Sequence, residues 1–208
     1  MLADVSDVSV HLGGRWVLSR LSFGLPEASS TLLTGENGAG KTTLLRLLAT
    51  TLQPTLGTLR VFGLPTALHR NSVRARIGLF THHSHLYEAL TALENLALCH
   101  WESPTSELWR VLERVGLAAQ ARRPVAGFSA GMRRRLGLAR LLLRQPALAL
   151  LDEPFGQLDP GGVALMQEVI KELQNNGTTL LIASHDIERA SALCTRHLTL
   201  TQGRMHVL

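Results

Sequence analysis

Cysteine is scarce in this sequence. Its 208 residues hold two, Cys99 and Cys194, without the short spacings that gather thiolates around a metal. A disulfide framework is therefore not expected, and two isolated thiols in a chain of this size point to a reducing, cytosolic setting. Long apolar runs are missing as well. No stretch approaches the ~18 consecutive apolar residues of a membrane span. The opening residues Met1-Leu2-Ala3-Asp4-Val5-Ser6-Asp7 carry acids and no basic segment, so they do not read as a signal peptide. Aromatic residues make up 4% of the chain, and none interleaves with the basic clusters in the way that stacks bases, which disfavours nucleic acid. There is no internal repeat, low-complexity tract or long linker.

What is present is a moderately basic globular composition: 45% hydrophobic and 18% charged residues, with 21 Lys and Arg against 16 Asp and Glu. That balance suits an anionic membrane face, nucleic acid or simple solubility. Arg122-Arg123 and Arg133-Arg134-Arg135 read first as solvated helix faces. The length allows one α/β domain with a subdomain.

The most specific segment is Gly35-Glu36-Asn37-Gly38-Ala39-Gly40-Lys41-Thr42-Thr43, which fits the phosphate-binding pattern G-x-x-x-x-G-K-[ST]. A β-prone run, Ser30 to Thr34, precedes it, and a helix-forming run, Leu44 to Leu48, follows. Strand, glycine loop and helix are what the chemistry needs. The loop turns backbone N–H groups onto phosphate oxygens, and the helix N-terminus adds partial positive charge. Lys41 can reach the β- and γ-phosphates of a nucleoside triphosphate, and the Thr42 hydroxyl can ligate Mg²⁺.

Around this loop the chain divides. Val5 to Leu12 and Trp16 to Leu25 alternate partly about a Gly13-Gly14 hairpin turn. Pro54 to Gly57 reads as a turn, and Thr58 to Phe62 and Arg76 to Thr81 as strands. Thr91-Ala92-Leu93-Glu94 is a capping box that opens a helix. Leu108, Val111, Leu112 and Val115 mark one face of a second helix, and Met132, Leu136, Ala139 and Leu143 the seam of a third. β/α alternation then returns: an unbroken apolar strand at Ala147 to Leu151, a helix through Met166, Val169, Ile170 and Leu173, a strand at Thr178 to Ala183, a helix at Ile187 to Cys194, and a last strand at His197 to Leu200. The expectation is a single domain over 1–208. A mainly parallel core, 1–86 and 146–208, includes an antiparallel N-terminal β-subdomain, and a helical subdomain at 87–145 interrupts it.

Asp152-Glu153 ends the apolar strand, at the edge where open parallel sheets collect ligand groups. Asp152 can hold Mg²⁺ directly or through water, and Glu153 can polarise a water for in-line attack on the γ-phosphate. Ser129, with small neighbours Ala130 and Gly131, is read as a helix N-cap, and the same arrangement makes an anion site. Asp159-Pro160 reads as N-cap and first helical residue. His185, just past a strand end, is either a surface histidine or a hydrogen-bond donor to the γ-phosphate.

Taken together, these segments resemble the ABC ATPases, the nucleotide-binding subunits of ABC transporters. The resemblance covers essentially the whole chain, in order: the glycine loop, Ser129-Ala130-Gly131 as the signature segment, Leu150-Leu151-Asp152-Glu153-Pro154, Leu158-Asp159, and His185 as the switch histidine. It implies ATP hydrolysis with Mg²⁺, catalytic roles for Lys41, Glu153 and His185, and metal contacts from Thr42 and Asp152. It also implies head-to-tail pairing with a like or paired ATPase subunit. Ser129, Ala130, Gly131 and Asp159 would then contact the nucleotide held by the other subunit's loop. The partner would be an integral membrane subunit on whose cytoplasmic face this chain sits. Three departures stand out. The signature reads Phe128-Ser129-Ala130-Gly131-Met132. His82 takes the place of a metal-contacting glutamine, and its imidazole is expected to contact a Mg²⁺-bound water or the γ-phosphate in its stead. Leu12 stands where an adenine-stacking aromatic belongs, leaving His11 or Trp16 as substitutes. Within the superfamily the chain is most similar to the ATP-binding export subunits of cytochrome c maturation. This rests on His82 to Tyr87 followed by Leu90 to Leu96, the Ser-Ala-Gly signature, and Leu151 to Phe155. The minimal length fits as well.

Overall fold

A computed structural model describes residues 1–81 and 85–207. Two sheets organise it. The first is antiparallel, in the order β2-β1-β4-β5, from strands β1 (Ala3–Leu12), β2 (Arg15–Leu25), β4 (Leu56–Val61) and β5 (Leu64–Pro65). β1 and β2 meet at a two-residue Gly13-Gly14 turn in which both residues have positive φ, the geometry that matches the twist of a tight hairpin. The partial alternation of β1 has a local cause. Its register slips between Val5 and Val8, where Asp7 adopts φ 50°. The bulge shifts the phase, so Ala3 and Val5 point inward before it and Val8 and Val10 after it.

The second sheet runs β10-β9-β3-β8-β7-β6. Strands β3 (Ser30–Thr34), β6 (Ile77–Phe80), β7 (Leu148–Asp152), β8 (Thr179–Ala183) and β9 (Arg196–Thr201) are parallel, and β10 (Arg204–Val207) closes the edge antiparallel to β9. Its central strands β3, β8 and β7 are buried at every position because their two faces feed two cores. Leu32, Ala149, Leu151, Leu180 and Ile182 pack with helices α3 (Ala92–Cys99), α4 (Thr105–Arg114), α5 (Ala130–Arg144), α6 (Pro160–Asn175) and α7 (Ile187–Ser191). Leu33, Leu148, Leu150, Leu181 and Ala183 pack with α1 (Lys41–Leu48) and the antiparallel sheet. The apolar side chains of α3, α4 and α5 belong to the same cluster as those of α6, so the helical segment shares its core with the sheet's outer layer.

Three expected caps form. Thr91 and Glu94 make a reciprocal capping box, Ser129 accepts from Met132 N at 3.2 Å, and Asp159 accepts from Gly162 N at 2.9 Å ahead of Pro160. Several elements differ from expectation. Helix α2 (Arg70–Arg74) is an extra single turn with only Val73 buried, too short and polar to show a period. β10 follows the strand expected to be last. β4 begins at Leu56, inside the segment read as a turn, and α7 ends three residues early.

Candidate functional site

Strand β3 is buried along its length and delivers the chain to the glycine loop. Two glycines there answer to sterics. Gly35, at φ 148°, has no room for a Cβ, which would stand 2.2 Å from the Leu200 carbonyl oxygen. Gly40, at φ 106°, caps α1 with backbone alone, and no side chain caps the first turn. The N–H groups at this helix start, with the positive end of the helix dipole, are thus presented to an anion. Lys41 Nζ donates to the carbonyls of Gly35 at 2.6 Å and Glu36 at 3.1 Å, which places the ammonium at the loop's mouth. An open cleft of about 750 Å³ runs from the loop, lined by Asn37, Gly38, Lys41, Thr42 and Thr43, to Asp152 and Glu153 on one side and Leu12, Arg15 and Val17 on the other.

Asp152 is buried, with 6% of its surface exposed. Its Oδ2 accepts from Thr42 Oγ1 at 2.8 Å. Burial raises its pKa above the usual carboxylate range, and the hydroxyl of Thr42 and the charges of Lys41 and Arg134 pull the other way. A hydroxyl and a carboxylate held in contact are hard oxygen donors. They fit Mg²⁺, which takes one or two protein groups and fills its remaining positions with phosphate oxygens and water. Among the described residues no cluster of three or more His, Cys, Asp or Glu offers a metal an all-protein cage.

A carboxyl whose folded-state pKa is raised supports folding below the usual carboxylate range. It loses that support as pH rises through the folded value. At neutral pH the ionised Asp152 therefore weighs against folding. Asp152→Asn is expected to raise the nucleotide-free Tm at pH 7, with the gap closing as the pH falls into the carboxylate range. Thermal melts across that range measure it. An unchanged Tm at pH 7 would mean that Thr42, Lys41 and Arg134 offset the burial in full.

β7 and β8 pair in parallel with Asp152 opposite Ala183, so the residues after them emerge side by side. Glu153 leaves its strand at φ 48°, with its N–H bonded to Ala183 O at 2.8 Å. Its Oε2 lies 2.8 Å from His185 Nδ1 and also accepts from His185 N at 3.3 Å and Ser184 Oγ at 3.4 Å. Because a carboxylate only accepts, Nδ1 carries the proton and Nε2 stays available to another group. The Glu153 side chain is largely covered and the His185 ring largely exposed.

A second hollow, about 460 Å³, shares no residue with the cleft. Ser129, Gly131 and Met132 at the start of α5 line it, together with Arg135, Gln157 and Asp159. Arg135 Nη2 donates to Asp159 Oδ1 at 2.8 Å, and this pairing, followed by the Gly162 N–H, lowers the Asp159 pKa. Ala130 occupies the first turn of α5 without a positive φ, so its methyl meets no backbone strain.

The structure thus brings Gly35 to Thr43, Asp152, Glu153 and His185 to one end of the parallel sheet, and Ser129, Gly131 and Asp159 to another hollow. His82 and its neighbour His83 lie outside the described residues. Neither His11 nor Trp16 lines the cleft. Their rings pack edge to face, centroids 5.1 Å apart, while Leu12 and Arg15, paired across the hairpin, border the cleft instead. The arginine cluster is not one solvated face. Arg133 reaches Ala126 O and Glu88, Arg135 reaches Asp159 and Val115 O, and Arg134 is buried against Glu153. Ser184 and Arg134 are contacts that sequence reasoning missed. For Arg134 a signal existed: it falls at i, i+4, i+7 with Leu138 and Leu141, all buried on α5.

The sequence pattern of the ABC transporter family matches residues 18–156. The chain is 39% identical over 179 residues to the cytochrome c biogenesis ATP-binding export protein CcmA of Pseudomonas putida, covering 84% of this chain and 85% of that protein. It is 36% identical over 207 residues to the Nod factor export ATP-binding protein I of Rhizobium johnstonii, covering 97% and 67%. Among solved structures, an ATP-binding subunit of an ABC transporter superposes with a TM-score of 0.91 at 27% identity, covering 100% of this chain and 90% of that one. A dimeric ATP-binding cassette in a post-hydrolysis state, bound to ADP and Pi, superposes at 0.88, covering 99% and 98%. At 22% identity that likeness speaks for the fold. With the glycine loop, the Thr42–Asp152 contact and the Glu153–His185 pair in place, the chain belongs to the ABC transporter family as an ATP-binding domain.

Proposed function

We propose that this chain hydrolyses ATP as the motor subunit of an export transporter, and that the transporter serves haem export or delivery in cytochrome c maturation. The observation that carries the motor reading is the Glu153–His185 contact at 2.8 Å, set beside the Thr42–Asp152 contact at the end of the phosphate loop. The N–H groups of residues 35–43 and the Lys41 ammonium take the β- and γ-phosphates. Thr42 and Asp152 hold Mg²⁺, which when bound neutralises charge on the phosphate oxygens. Glu153 orients a water and draws on its proton as the oxygen attacks phosphorus in line, giving ADP and phosphate. His185 steadies the Glu153 carboxylate through Nδ1 and turns Nε2 to the γ-phosphate.

The hollow at Ser129, Gly131 and Asp159, with Ala130 in the first turn of α5 beside it, completes the site of a second subunit. Its serine-capped helix start offers N–H groups and dipole to a γ-phosphate. On this reading the core at 1–86 and 146–208 grips the nucleotide. The helical part at 87–145 carries the signature to the partner's site. No described helix is long and apolar enough to cross a membrane. As a member of the ABC transporter family, the chain meets the bilayer through an integral membrane subunit, on its cytoplasmic face.

The haem reading rests on the 39% identity to CcmA, a protein matched over most of its length. The second reading, export of another substrate, draws on the Nod factor relative at 36% over nearly the whole chain. Deletion of this chain from its source organism is expected to abolish haem-stained c-type cytochromes, with recovery by the wild-type chain and not by Glu153→Gln. Unchanged cytochromes overturn the haem assignment and favour the second reading.

A further inference from the structure

Arg134 is a costly residue where it stands. It is 4% exposed on α5. Among the described residues its Nε and Nη1 have no hydrogen-bond partner. Burial depresses its pKa, with the charges of Asp152 and Glu153 acting in the opposite direction. A buried guanidinium with two unsatisfied nitrogens works against folding. Two contacts define its place. Its carbon centre sits 4.7 Å from the centroid of the Phe80 ring, and Nη2 donates to the backbone carbonyl of Glu153.

That carbonyl matters because of the backbone around it. Glu153 is a non-glycine residue at φ 48°, a left-handed conformation that costs roughly 1–2 kcal/mol. It persists only where its surroundings fix it. Three hydrogen bonds do so: Glu153 N to Ala183 O at 2.8 Å, Gly156 N to Glu153 O at 3.2 Å, and Arg134 Nη2 to the same oxygen. The first two come from backbone and survive any side-chain change. The third is the one side-chain clamp on this carbonyl among the described residues. Phe80 props the guanidinium from beneath, and Gly137, one turn along α5, lies over the same ring: a Cβ there would stand 3.4 Å from it, in van der Waals contact.

We propose that Arg134 is a positioning residue for ATP hydrolysis, clamping the Glu153 carbonyl so that the left-handed turn aims the carboxylate at the attacking water. This rests on the reading of Glu153 as the group that activates water. It also accounts for a buried charge that stability alone would not retain.

The test is Arg134→Met in the full chain with its membrane subunit, beside Arg134→Lys and both substitutions combined with Glu153→Gln. Misplacing a catalytic group by about 1 Å costs up to ~10²-fold. Arg134→Met is therefore expected to lower kcat at least about tenfold. Its KM and Kd for MgATP should stay within about twofold, and its Tm should be no lower than that of the wild type. Arg134→Lys, which keeps a donor, should recover part of the loss. On the Glu153→Gln background Arg134→Met should change nothing further, since residues acting as a unit are non-additive. Arg134→Met with wild-type kcat overturns the proposal. So does a loss that tracks ATP affinity or Tm, or one that repeats in full on the Glu153→Gln background. A wild-type protein that does not release phosphate overturns the hydrolysis reading instead, and separately.

Discussion

Glu153→Gln is expected to slow phosphate release from MgATP by ~10²–10⁴, or about 3–5 kcal/mol of barrier, while ATP binds as before. The geometry separates the two effects. On the proposed reading residues 35–43 grip the phosphates, whereas Glu153 meets the site from the end of β7, with its carboxylate held by His185 and Ser184. A glutamine has the same shape, and its amide oxygen still accepts from His185 Nδ1 and N. The turn after β7 keeps its backbone bonds to Ala183 and Gly156. What is lost is the negative charge that, on the proposed reading, polarises water. If ATP lies between two subunits, uncleaved nucleotide holds them together. The variant should then run at twice the monomer mass by light scattering with MgATP and at monomer mass without it. A variant that turns over at the wild-type rate places the water-activating group elsewhere. A slow variant that stays monomeric with ATP keeps Glu153 in its role and removes the shared site.

How far the sequence revealed this site depended on how each part is encoded. The phosphate loop is contiguous, and its requirements are local: glycines where a Cβ would strike Leu200 or Leu18, then a lysine and a hydroxyl. It was legible at once. The central strands were legible because both faces are buried, which leaves no polar residue to interrupt Leu148 to Leu151 or Leu180 to Ala183. The hairpin was half legible, since the bulge at Asp7 breaks the alternation by which a strand is recognised. The Glu153–His185 pair spans 32 residues and exists only through the β7–β8 register, which no local pattern states. Helix α2 turns too briefly to show a period. Arg134 was hidden by its neighbours. Three successive arginines look like one charged face, yet successive helical positions point about 100° apart, and here that rotation sends Arg133, Arg134 and Arg135 to three different partners.

Lys41→Ala should weaken MgATP binding by ~10²–10³, about 3–4 kcal/mol, the loss expected when charge-assisted hydrogen bonds to phosphate go. The ammonium donates to two loop carbonyls, Gly35 O and Glu36 O, so it sits where those dipoles balance its charge and where a triphosphate on the loop would meet it. The loop itself does not depend on it. Gly35 is wedged against Leu200, Ala39 N bonds to Glu36 O at 3.2 Å, Gly203 N bonds to Ala39 O at 3.2 Å, and Leu44 N bonds to Gly40 O at 2.8 Å. The variant should therefore keep its Tm within about 2 °C while losing the nucleotide, a change of no more than about 1 kcal/mol for a chain of this size. Lys41→Arg should not restore binding. A planar guanidinium fork is wider than an ammonium and cannot satisfy two carbonyls of one tight loop and a phosphate from the same point. Titration calorimetry with MgATP reads both variants directly. An affinity within about threefold of wild type for Lys41→Ala would mean that the backbone N–H groups and the helix start hold the phosphates by themselves, and would take the lysine out of the binding step.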